Sequence, residues 1–123
     1  MHFNNKIVEN ILSTKFANEI DDFVMRDLHH FDPEECYEEL SGEPEYFGLS
    51  AITNMEIVGD IETEETGDDT TAVYGDIALE VEANGIDQEG MSCGETTLSM
   101  VYSFRFEVTK ENEYEDLYME WVD

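Results

Sequence analysis

The sequence predicts an α+β fold: an N-terminal amphipathic helix and a short second helix packed as one layer on an antiparallel β-meander of about four strands. Three observations carry this. Apolar residues in the first thirty positions recur every three or four residues, the pattern switches to a period of two after residue 50, and turn residues separate the alternating runs. At 123 residues the chain forms a single domain, helical over 1–42 and antiparallel sheet over 49–123.

Each element has its own signal. Ile7, Ile11, Leu12, Phe16, Ile20, Phe23, Val24, Leu28 and Phe31 lie on one helical stripe, in a single helix over about 4–30 or in two pieces broken near Asn18. In FDPEECYEELSG, Asp32 caps, Pro33 suits the first helical position, Glu35 stands three after the cap and Gly42 stops the short helix. GEPEYFG reads as loop. The first strand alternates Ala51, Met55, Ile57, Gly59 and Ile61 with Ile52, Asn54, Glu56, Val58, Asp60 and Glu62. TEETGDDT then makes a turn. The second strand places Val73, Gly75, Ile77, Leu79, Val81 and Ala83 on one face, with Tyr74, Asp76, Ala78, Glu80 and Glu82 on the other, and Asn84-Gly85 ends it. A loop to Glu95 leads into the third strand, where Leu98, Met100, Tyr102, Phe104, Phe106 and Val108 face inward. A last strand over 117–122 buries Leu117, Met119 and Trp121.

Charge is the dominant feature. The formal net charge is −27, from 32 acids and five bases, and between Asp27 and Phe104 there are 21 Asp or Glu and no Lys or Arg. With 41% hydrophobic residues the chain still has the material for a core, so disorder is not implied. Salt adaptation favours Asp and Ala, whereas Glu outnumbers Asp here and large apolar residues are plentiful. The N-terminus lacks a basic patch followed by an apolar run, and no continuous apolar span is present. The expectation is a cytoplasmic protein whose two cysteines are reduced thiols.

The same charge excludes functions. Nucleic-acid affinity rests on Lys and Arg displacing counterions from phosphates, so direct binding is repelled, as is contact with an anionic membrane. Self-repulsion favours a monomer. No nucleophile motif accompanies His2, His29 or His30, and no phosphate-binding loop is present, so an enzyme is not expected. DIETEETGDDTT has acids at the first, third and fifth positions of a calcium loop but lacks the sixth-position glycine and the final glutamate. His29, His30, Cys36 and Cys93 offer the nitrogen and sulfur ligands that zinc prefers, at a spacing that matches no standard finger.

What remains is an anionic surface meant to be gripped. Residues two apart on a strand lie about 6.6 Å apart on one face. Asp60 and Glu62 with Asp76, Glu80 and Glu82 would form a grid of carboxylates on the solvent face, extended at the turn by Glu64, Glu65, Asp68 and Asp69. The short helix adds Glu34, Glu35, Glu38 and Glu39 as a second ridge, and Tyr46, Phe47 and Tyr74 are candidate exposed aromatics. A basic groove built for a phosphate backbone would be steered toward such a surface.

In size, charge and helix-plus-meander layout the chain resembles the small acidic anti-defence proteins of phages and mobile elements, the anti-CRISPR and anti-restriction inhibitors, some of which mimic DNA. The resemblance is one of general character across the whole chain and rests on no shared motif. It implies a stoichiometric inhibitor whose partner is a basic nucleic-acid-binding protein, a CRISPR effector nuclease or a restriction enzyme, and which blocks target DNA binding. The alternatives are an immunity protein that neutralises a basic nuclease toxin, or an acidic domain with a housekeeping role.

Overall fold

The computed structural model describes residues 3–31, 44–67 and 69–122. Asn4 caps the first helix, α1 (Asn5–Lys15), with its side-chain oxygen accepting from the Ile7 N–H at 2.8 Å. The hydroxyls of Ser13 and Thr14 both donate to the Asn10 carbonyl, which weakens the helical ladder locally. At Phe16 the backbone leaves helical geometry (φ −118°, ψ 17°), and α2 (Ala17–Leu28) begins. The helical segment is therefore two pieces, broken at Phe16 and not at Asn18. Val8 is fully buried and Ile7 is exposed, so the apolar stripe starts one residue later than its spacing suggests. The expected short helix over 33–42 lies outside the described residues.

The four strands β1 (Tyr46–Thr66), β2 (Thr70–Ile86), β3 (Ser92–Val108) and β4 (Tyr114–Val122) follow one another in a single antiparallel sheet of order β1-β2-β3-β4. With the helices they make an α+β chain. Several strand boundaries differ from expectation. Tyr46, Phe47 and Gly48 belong to β1 and not to a loop. Glu64 and Glu65 are strand residues, because β1 runs to Thr66, whose hydroxyl donates to the Thr70 carbonyl across the turn. Asn84-Gly85 does not end β2: Gly85 occupies a buried inward position, and Asp87 builds the turn instead. Its carboxylate accepts from the Glu89 and Met91 amides, both at 2.9 Å. β1 has 21 residues against 17 in β2, and within it Gly59 takes φ +78°, a backbone conformation that favours glycine.

The chain divides into two compact units, to both of which β1, β2 and β3 contribute residues. The first comprises Met1–Ile20, Met55–Ala78 and Val101–Asp123. In it Val8, Ile11, Leu12 and Phe16 of the helical segment are buried, as are Ile77, Tyr102, Phe104, Phe106 and Met119 of the sheet. Phe106 is the centre of an aromatic cluster, with ring centroids at 5.3 Å from Phe16, 6.2 Å from Phe104 and 6.3 Å from Tyr114. α1 also ties down the β1 edge: the Asn5 amide donates to the Gly59 carbonyl at 3.1 Å, and the Glu9 carboxylate accepts from the Ile57 N–H at 2.9 Å. The second unit comprises Asp21–Asn54 and Leu79–Met100, with Val24, Leu28, Phe47, Leu79, Val81, Leu98 and Met100 buried. Among the described residues no helix is long and apolar enough to cross a membrane.

Candidate acidic interface

Burial alternates along β2 from Asp76 to Ile86 and along β3 from Thr96 to Val108, which fixes the two faces of each strand there. In the first unit the wet face of β2 presents Tyr74 and Asp76, and that of β3 presents Val101, Ser103, Arg105 and Glu107. β4 pairs residue by residue with β3: Val101 with Val122, Ser103 with Glu120, and Arg105 with Tyr118. Directly paired residues share a face, so Tyr118, Glu120 and Val122 join the same surface. Beyond Arg105 the register shifts by a bulge, and Glu107 meets Glu115, with Asp116 in the left-handed region at φ 58°. On β1, Asp60, Glu62 and Glu64 are exposed at alternate positions.

Hydrogen bonds knit this face across strands. Tyr74 is hydrogen-bonded to Glu62 of β1, and the Ser103 hydroxyl donates to Asp76 at 3.1 Å. Partial desolvation, then the charges of Glu62 and Glu64 and the Glu62 hydrogen bond, hold the Tyr74 phenol above the ordinary tyrosine range, opposed by the charge of Arg105. Arg105 lies 3.6 Å from Glu107, so the face's cation already has a carboxylate beside it.

The expected site residues separate accordingly. Asp60, Glu62, Glu64, Tyr74 and Asp76 fall in the first unit and Glu80 and Glu82 in the second, all seven on strands. Glu65 stands at the end of β1 and Asp69 in the turn, at φ 58°. Glu65 and Asp69 line a shallow depression shared with Lys110 and the hydroxyl residues Thr66, Thr70 and Thr71. Glu34, Glu35, Glu38, Glu39 and Asp68 lie outside the described residues. Of the proposed aromatic contacts, Phe47 is excluded: it is fully buried, with its ring edge-on to Phe31. Tyr46 is exposed and packs its ring against His29.

Sequence reasoning missed Glu107, Glu115, Asp116, Tyr118 and Glu120. Only the β3–β4 register brings them onto the acidic face, and no local pattern announces that register.

For metals, Cys36 lies outside the described residues. Among the described residues His29, His30 and Cys93 do not come together as ligands; the one group of three potential ligands is Glu107, Glu115 and Asp116, whose oxygens lie within 4.8 Å of one another. That set is all-oxygen, suited to a hard cation and not to the zinc expected from His and Cys. Cys93 is buried, and desolvation followed by the charge of Asp87 pushes its thiol up, away from the thiolate a soft metal needs.

Comparison with protein-family models, with curated proteins and with solved structures gives no match, so the functional reading rests on the surface itself.

Proposed function

We propose that the protein is a stoichiometric inhibitor of a defence nuclease. Its acidic outer face, carried on a two-layer α+β frame, would occupy the basic nucleic-acid-binding groove of a CRISPR effector or restriction enzyme in the cytoplasm. Occupancy blocks target DNA binding, and the inhibitor has no turnover of its own. The observation that supports this reading is the composition of one face. Asp60, Glu62, Glu64, Asp76, Glu107, Glu115, Asp116 and Glu120 are held on paired strands, and Arg105, the base among them, is compensated by Glu107. Charge ordered on rigid strands attracts a cationic cavity at long range and fixes its orientation at contact.

The test is capture from a nuclease-bearing host, followed by competition. The tagged chain should retain a nuclease and displace duplex DNA from it at one-to-one stoichiometry, with inhibition falling steeply between 50 and 300 mM salt as ionic screening predicts. Retention of proteins that bind no nucleic acid, or inhibition indifferent to salt, overturns the proposal. A single nuclease toxin held tightly even at high salt would indicate the immunity role instead.

A further inference from the structure

The acidic face has a centre that is not acidic. Arg105 of β3 is directly paired with Tyr118 of β4, and Tyr74 of β2 is close enough to Arg105 to feel its charge. Farther along the same strands Val101 is paired with Val122. These are not side chains shielded by the fold: Tyr118 is 57% exposed, Val122 47% and Val101 37%. A lattice that only imitated phosphates would have no use for a guanidinium flanked by phenols and valines.

We propose that the Tyr74–Arg105–Tyr118 row, with Val101 and Val122, is the anchoring centre of the interface, and that its occupant is an arginine-bearing cationic protein surface. The proposal rests on the inhibitor reading and goes further, because it moves the source of lasting affinity from the carboxylates to the aromatics. Exposed carboxylates are individually weak and screened, so they set the association rate and its salt dependence. Tyr and Arg at the middle of a patch are the residue types that govern dissociation, and a tyrosine face accepts a guanidinium by cation–π contact. Arg105 fits the same occupant, since a protein can offer it a main-chain carbonyl or a carboxylate where a phosphate-binding surface alone would not. Charge complementarity selects this occupant over the others. A second copy would bring two chains of net charge −27 face to face, and nucleic acid and an anionic bilayer carry the same sign as the rim.

The experiment uses the full chain with two fluorescent probes of equal charge, a peptide of nine arginines and one of nine lysines, titrated by anisotropy at 50 and 300 mM salt. At the higher salt the wild type should prefer the arginine peptide several-fold, and Tyr118→Ser should weaken that peptide about tenfold and erase the preference. Tyr118→Phe, which keeps the ring, should bind like the wild type. Backbone amide shift changes should centre on 101–105 and 118–122, a map that stands as the test even if Tyr118→Ser fails to fold. If Tyr118→Ser binds as the wild type does while Asp60→Asn with Glu62→Gln and Glu64→Gln abolishes binding, the anchoring centre is wrong and the acidic-inhibitor reading survives. If neither set changes binding, both fall.

Discussion

Replacing Asp60 and the glutamates at 62, 64, 80 and 82 by Asn and Gln should make the free protein more stable and its partner binding weaker. Isosteric amides keep an acceptor for Tyr74 at position 62, so the change is electrostatic. Neighbouring carboxylates on one strand stand about 6.6 Å apart, two residues at the usual rise. Two unit charges at that separation repel by about 0.6 kcal/mol in water, and by about 0.3 kcal/mol once a Debye length of ~8 Å is applied at 0.15 M salt. Asp60–Glu62, Glu62–Glu64 and Glu80–Glu82 are such pairs. Their relief adds at most about 1 kcal/mol at physiological salt, because the unfolded chain keeps part of the same repulsion; the ceiling is nearly twice that at 0.01 M and small at 1 M. For a chain of 123 residues, 1 kcal/mol moves Tm by about 4 °C. Differential scanning calorimetry of wild type and variant at the three salt concentrations reads the effect directly. A variant that melts at or below the wild type at 0.01 M salt would refute the reasoning, since the carboxylates would then be held by favourable contacts and the face would not be a store of uncompensated charge.

Other consequences follow from single residues. The Tyr74 phenol is raised by desolvation first and by Glu62 and Glu64 next, so its contribution to stability is full below about pH 10 and lost as pH climbs through the higher folded value. A difference titration at 295 nm between wild type and Tyr74→Phe should show this, and Glu62→Gln should bring the transition down toward 10. Phe106→Ala removes the centre of the Phe16–Phe104–Tyr114 cluster and should cost about 3–5 kcal/mol in urea unfolding. At Gly59, φ is +78° and an added Cβ would meet nothing within 4 Å, so Gly59→Ala should cost only the left-handed backbone penalty, about 1–2 kcal/mol by the same assay. Cys93, buried with a raised thiol, should react with Ellman's reagent slowly in the folded Cys36→Ser protein and at once in denaturant.

The sheet was legible in the sequence wherever one face of a strand must be dry. Val73 to Ala83 and Leu98 to Val108 alternate because water and core demand opposite chemistry on successive residues, and the observed burial follows that alternation. What sequence could not reveal is nonlocal or depends on one backbone angle. Phe47 sits in a stretch rich in Gly, Pro and Glu that reads as loop, yet tertiary packing draws it into the core beside Phe31. Asn84-Gly85 is the strongest local turn signal in the chain, and it loses to Asp87, whose carboxylate satisfies two loop amides. No local pattern sets Tyr118 apart on the last strand. Its meaning depends on the bulge at Asp116, which sets Tyr118 opposite Arg105 and Glu115 opposite Glu107.

The frame and the charge constrain each other. A surface of like charges disperses unless something rigid holds it, and long side chains on a mobile segment would splay apart to lower their repulsion. Here the acids stand on paired strands backed by Phe104 and Phe106, with the β1 edge pinned by Asn5 and Glu9 of α1. Packing thus opposes a repulsion that the free protein cannot escape by local rearrangement. On the proposed function, a cationic partner would remove that repulsion as it binds, and part of the binding free energy would be repulsion already present in the unbound chain. Added salt acts on the two states in opposite directions: it shields the free protein from its own charge and shields the complex from the attraction that forms it. The sign of the salt effect therefore separates an interface charge from a solubilising one, because charges that serve only solubility have no partner whose affinity falls as the fold gains stability.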